Sequence, residues 1–169
     1  GKTILFVSTK PQSIKLLEET AKACRMPYVV GKWIPGLLTN FATLKSRIKY
    51  LGDLKEQKVS GEFSKYTKKE ASKLGKVIDK LQIAFGGVEN VSSRPDAVFV
   101  LDAVRDHIVV KEAKRLRIPV VGIVDTNADP TVIDYPIPGN DDAIKSLIYF
   151  TDKIKEAISK KSAKAKTDV

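Results

Sequence analysis

Val120–Asp142 reads VVGIVDTNADPTVIDYPIPGNDD, and the fold is decided here. Val120 to Val124 is an unbroken apolar run just after Pro119, and it gives way at once to the polar sequence Asp125–Pro130. A short run that is apolar at consecutive positions and rich in Val and Ile is a strand buried on both faces, as in a parallel sheet covered by helices. The polar loop after it then lies at the carboxyl edge of the sheet, where such folds place their sites. A second short run, Asp134–Ile137, predicts another strand, and Asn140 or Asp141 is placed to cap the helix that follows through Ile144, Leu147, Ile148, Ile154 and Ile158.

Working outward, the same alternation recurs. Thr3–Ser8 predicts a first strand, Ile14, Leu17, Ala21 and Cys24 recur at helical spacing, and Tyr28–Val30 predicts a second strand. Ala97–Leu101 predicts a third strand and Asp106–Leu116 a helix, ahead of the Val120 strand. Five strands alternating with helices make an α/β, doubly wound parallel sheet, and the connection lengths suit the flavodoxin-like order 2-1-3-4-5.

Between the second and third strands the pattern changes. Leu37, Phe41, Leu44, Ile48 and Leu51 fall at steps of four and three, and so do Ala71, Leu74, Ile78, Leu81 and Phe85. That narrow seam is the mark of a coiled coil rather than of a globular helix with its wider apolar face. Thr67-Lys68-Lys69-Glu70 reads as a capping box and Gly86-Gly87 as a stop. The expected organisation is a sheet domain at 1–34 and 88–160, an inserted antiparallel hairpin at 35–87, and a loose basic tail at 161–169 rich in Lys, Ala and Ser.

The net charge of +10 directs attention to a polyanionic partner, nucleic acid before an anionic membrane. Residues 31–90 carry twelve basic groups against six acidic, while residues 91–150 carry seven against nine. The positive field therefore belongs to the hairpin. Lys45, Arg47, Lys49, Lys68, Lys69, Lys73 and Lys76 ring its helices, beyond what a sign-mixed exposed helix needs for i,i+4 support. Rigid helices carrying such charge suit phosphate backbones. Lys10 and Lys32 add to the set, and Trp33 is read two ways, as a base-stacking side chain or as the anchor of the hairpin's root.

Cys24 is the single cysteine, so neither an intrachain disulfide nor a cysteine zinc site is available, and a reducing compartment is the simpler reading. Asp102, Asp125 and Asp129 follow predicted strands, which admits a Mg²⁺-dependent enzyme or phosphoacceptor-type switch. Ser8-Thr9-Lys10 stands where a phosphoacceptor would want paired acids, and neither GxGxxG nor a P-loop occurs, so these aspartates are read mainly as turn and cap residues. No cofactor is expected. A hairpin that binds an acidic protein is the third reading.

Several pieces together resemble one family, the second protein of the bacterial-type small ribosomal subunit. They are Phe6–Lys10, Trp33 with Gly36, Leu38, Thr39 and Asn40, Phe63 and Lys65, Thr67–Glu70, Gly86-Gly87, Pro95-Asp96-Ala97, Lys111-Glu112-Ala113, Ile118–Val120, Ile123–Asn127, Asp129-Pro130 and Ile137–Ile144. The resemblance implies a Rossmann-like domain with a coiled-coil protrusion. It also implies a non-catalytic constituent of the small subunit bound to its rRNA, beside neighbouring proteins that include the large mRNA-binding one. The implied location is the ribosome of the cytoplasm, with an organelle's ribosome as the other location. Thr39 and Asn40 join the expected RNA-contacting set through this motif. The family's usual N-terminal segment with a His-Phe-Gly-His motif is missing here, as expected of a trimmed chain, and Ile34-Pro35-Gly36 stands where Leu-Gly-Gly is usual.

Overall fold

The computed structural model describes residues 2–167, with side chains as far as residue 160. In chain order the elements are β1 (Ile4–Ser8), α1 (Ile14–Cys24), β2 (Tyr28–Val30), α2 (Phe41–Val59), α3 (Lys68–Phe85), β3 (Ala97–Val100), α4 (His107–Arg115), β4 (Val120–Val124), β5 (Tyr135–Pro138) and α5 (Ile144–Thr167). The strands form one sheet in the order β2-β1-β3-β4-β5, with every neighbouring pair parallel. This is the expected flavodoxin-like order.

Successive strand residues point to opposite faces, so each strand feeds two cores. Leu5, Val7, Val98, Val100, Val120 and Val124 pack on one side with Trp33, with Val109 and Ala113 of α4 and with the hairpin. Phe6, Phe99, Leu101 and Ile123 pack on the other with Leu17 and Ala21 of α1 and Leu147 of α5. Phe6 and Phe99 meet edge to face, their ring centroids 5.4 Å apart. Burial on both faces is why the β4 sequence is apolar without alternation.

The hairpin seam is continuous with the first of these cores. Leu44, Ile48, Leu51 and Leu54 of α2 are buried, with Ile78 and Phe85 of α3. Leu37 lies before α2, in the turn that leads into it, and α2 runs on to Val59, so only residues 60–67 connect the two helices. Gly61 at φ 78° turns the chain. Thr67 and Glu70 form the anticipated capping box, the Thr67 hydroxyl accepting the Glu70 N–H and the Glu70 carboxylate accepting the Thr67 N–H.

Gly86-Gly87 does more than end α3. A Cβ at Gly87 would strike the Tyr28 carbonyl oxygen and lie 2.6 Å from its ring. Only glycine lets the returning chain pass this close to β2. At the opposite edge, the Gly139 N–H donates to the Val124 carbonyl at 3.1 Å, so Tyr135 and Ile137 also turn their N–H groups toward β4. The outward positions of β5 are Pro136 and Pro138, which have no N–H to offer.

Asn140 closes a turn ahead of α5 rather than capping it, its side-chain oxygen accepting the N–H groups of Asp142 (2.8 Å) and Ala143 (2.7 Å), and α5 opens with the Leu147 N–H on the Ala143 carbonyl at 3.0 Å. It is helical as far as Thr167, through most of the stretch 161–169 expected to be loose; side chains from 161 and all of residues 168 and 169 lie outside the described residues. No helix among the described residues is long and apolar enough to cross a membrane.

Candidate nucleic-acid interface

The seam turns apolar residues inward, so the remaining positions of α2 and α3 face solvent. Lys45, Arg47, Lys49, Lys68, Lys69, Lys73 and Lys76 are all exposed, as is Lys32 before the hairpin. Among the described residues, none of these eight pairs with a carboxylate; Lys45 donates instead to the Ser92 carbonyl at 2.9 Å. Among the described residues, the hairpin's one ion pair to the rest of the molecule is Lys55 with Glu89 at 2.6 Å. A surface with this much unneutralised charge costs folding energy through self-repulsion, and an anionic partner removes that cost.

Behind this surface sits a carboxylate clamp. Glu112, on the inner side of α4, receives five hydrogen bonds from the segment leading into α2. Its Oε1 accepts the Trp33 indole N–H at 3.0 Å and the Gly36 N–H at 2.7 Å; its Oε2 accepts the N–H groups of Leu38 and Thr39 at 3.1 and 3.2 Å, and the Thr39 hydroxyl at 3.2 Å. Burial alone would raise its pKa, but the donors from Gly36, Trp33, Thr39 and Leu38 outweigh that and hold it below the usual glutamate value. The result is a buried anion satisfied almost entirely by the loop it orients. It fixes where the hairpin leaves the sheet.

A second polar knot closes the carboxyl edge. Lys10, two residues after β1, is only 8% exposed, and its ammonium donates to Asp142 Oδ1 (2.5 Å), the Asp141 carbonyl (2.7 Å), Asp141 Oδ1 (3.1 Å) and Asp102 Oδ2 (3.5 Å). Burial works against the charged ammonium, yet the bonds to Asp142 and Asp141 prevail and raise its pKa. Asp141 goes the same way for the opposite reason. Burial raises it, with Lys10 opposing and the nearby Asp102 and Asp142 adding to the rise. Asp125 Oδ2 accepts the Asp141 N–H at 3.1 Å and Oδ1 the Thr126 N–H at 2.7 Å. Asp125, Asp141 and Asp142 bring carboxylate oxygens within 4.8 Å of one another, and Lys10 binds two of the three. Asp129 stands apart, accepting the N–H and hydroxyl of Thr131 in a tight turn.

The structure therefore divides the expected contact residues. The seven hairpin bases and Lys32 form an open basic surface. Lys10 is a correction, because its charge is spent on three aspartates. Trp33 is 7% exposed with its N–H on Glu112, so it anchors the hairpin's root and has no free face for a base. Thr39 gives both its donors to Glu112, while Asn40 stays exposed and accepts the Thr43 hydroxyl at 2.7 Å. Two features escaped the sequence reading. Glu112 had a visible signal, a charged residue falling among the inward positions Val109, Val110 and Ala113; the convergence on Lys10 had none.

The family model for ribosomal protein S2 matches residues 1–161. Curated relatives named small ribosomal subunit protein uS2 include one from Dictyoglomus thermophilum, 49% identical over 158 residues, covering 94% of this chain and 64% of the relative. The relative from Nitratiruptor is 50% identical over 158 residues, covering 94% and 59%, and that from Campylobacter hominis 47% over 163 residues, covering 96% and 61%. The chain thus spans about three fifths of the length of the relatives it matches. A match over nearly the whole chain at close to half identity, on the fold and motifs described, makes it a member of the ribosomal protein S2 family.

Proposed function

We propose that the chain is a non-catalytic structural constituent of the small ribosomal subunit that holds small-subunit rRNA through the hairpin 35–87, carried on the sheet body 1–34 and 88–160. The observation that carries this reading is the row of exposed hairpin bases without carboxylate partners, on helices whose root is fixed by Glu112. Family membership supports the assembly, and the resemblance read from the motifs adds neighbouring subunit proteins, among them the large mRNA-binding one, as partners in the cytoplasmic ribosome. Contacts from lysines at varied heights on two helices suit phosphates and groove shape rather than base edges. The test is binding to small-subunit rRNA across about 50 to 200 mM salt, where each lost phosphate contact flattens the log–log slope by roughly 0.7 to 0.9. Changing Lys45, Arg47, Lys49, Lys73 and Lys76 to Glu should weaken binding by well over tenfold and flatten that slope; unchanged affinity would sink the hairpin assignment.

The aspartate edge does not favour an enzyme or switch. Lys10 occupies Asp102, Asp141 and Asp142 from within, Asp125 is taken up by backbone N–H groups, and Asp129 is turned to Thr131.

A further inference from the structure

We propose that the hairpin tip is a base-stacking site, in which Tyr66 receives an unpaired RNA base while Lys65, Lys68 and Lys69 hold the phosphates beside it. This rests on the hairpin reading above but names a residue and a contact class that the reading does not contain. From Lys58 to Glu70 every residue is exposed except Phe63, so the tip is the part of the hairpin that no core claims. Tyr66 is 46% exposed and lies outside the seam, which resumes at Ala71.

Its ring is nonetheless held. Phe63 is half-buried against the hairpin core and meets Tyr66 edge to face, with centroids 6.1 Å apart at 84°. The Tyr66 N–H donates to the Phe63 carbonyl at 3.2 Å, and the capping box fixes Thr67 immediately after it. An exposed aromatic on a fixed stalk loses little rotamer freedom when a base stacks on it, which is how single-stranded RNA is commonly gripped.

The charges around it agree. Residues 58–69 hold Lys58, Lys65, Lys68 and Lys69 against Glu62 alone. None of the four lysines pairs with a carboxylate among the described residues, and Glu70 is committed to Thr67. Lys68 and Lys69 also occupy the first turn of α3, where the helix dipole disfavours cations. Charge placed against local stability is relieved by a phosphate. An RNA strand offers a phosphate to each lysine and, beside it, a flat base to the ring, a pairing that an acidic protein surface does not repeat.

The experiment uses the full chain with small-subunit rRNA, an oligouridine of about 20 nucleotides and an RNA duplex of about 20 base pairs. Tyr66→Leu keeps the apolar cover over Phe63 but cannot stack, and Tyr66→Phe keeps the stack. Tyr66→Leu should weaken rRNA and oligouridine binding roughly tenfold to a hundredfold, with duplex binding and the unfolding midpoint unchanged and Tyr66→Phe close to the parent. Parent-like rRNA affinity in Tyr66→Leu, or an equal loss on the duplex, overturns the inference. The charge-reversed hairpin separates the two readings. If it loses binding while Tyr66→Leu does not, only the stacking site falls; if the unsubstituted chain binds none of the three RNAs, both fall.

Discussion

Replacing Glu112 by Gln tests whether one carboxylate sets the hairpin's root. In the parent, five donors converge on two oxygens, four of them from Trp33, Gly36, Leu38 and Thr39 N–H groups. A glutamine can keep one oxygen for Trp33 and Gly36, but its NH₂ then faces the Leu38 and Thr39 N–H groups, donor against donor. Each buried donor left unpaired costs about 1–3 kcal/mol, and partial shift of the loop recovers some of it, so a net loss of roughly 2–4 kcal/mol is expected. For a chain of this size that is a drop of about 5–15 °C in unfolding midpoint. Trp33 is the only tryptophan, so its fluorescence reports directly on the clamp during urea unfolding. The pH dependence carries a sign. The folded Glu112 pKa lies below its unfolded value, so its stabilisation is complete above the unfolded pKa of about 4.3 and is lost as pH falls through the folded value. The gap between parent and Glu112→Gln should therefore be full near neutrality and shrink as pH falls below about 4. A gap under about 0.5 kcal/mol at neutral pH, or one that widens in acid, would refute the clamp.

Lys10→Ala should leave Asp102, Asp141 and Asp142 facing one another without a counter-charge and cost about 2–4 kcal/mol in urea unfolding at neutral pH. Part of that should return on mild acidification, because protonating Asp141, the most buried of the three, relieves the repulsion; a loss indifferent to pH would mean that Lys10 acts by packing alone. Gly87→Ala should destabilise by about 2–4 kcal/mol, since the new methyl meets the Tyr28 backbone oxygen, which cannot step aside. A thermal midpoint within a degree or so of the parent would show that the crossing is looser than described.

The sheet was legible because its strands are short, β-branched and apolar at consecutive positions, a pattern that parallel strands buried on both faces impose on their own sequence. The hairpin was legible for a related reason: a two-helix seam writes its period into Leu44, Ile48 and Leu51 and into Leu74, Ile78 and Leu81. Capping by Thr67 is local chemistry, settled within three residues, whereas Asn140 closes a turn one step before the helix it was expected to cap. What local pattern cannot carry is closure over long separations. Lys10 reads as one more surface base until the fold brings it to residues 92 to 132 positions away. Trp33 stayed ambiguous because its partner lies 79 residues on, in another helix. Surface exposure, by contrast, needs no closure, so the expected hairpin bases and Lys32 are all exposed, while Lys10, Trp33 and Thr39 are held by carboxylates inside the fold.

The two edges of the sheet place a limit on what the molecule can become. On one side the chain itself lies across β2; on the other, β5 turns only carbonyl oxygens outward where Pro136 and Pro138 stand. A strand from a second copy would find no donors there, so sheet growth stops at five strands. With both edges closed in this way, the sheet offers a partner little backbone to pair with, and the contacts left open to one are those of side chains.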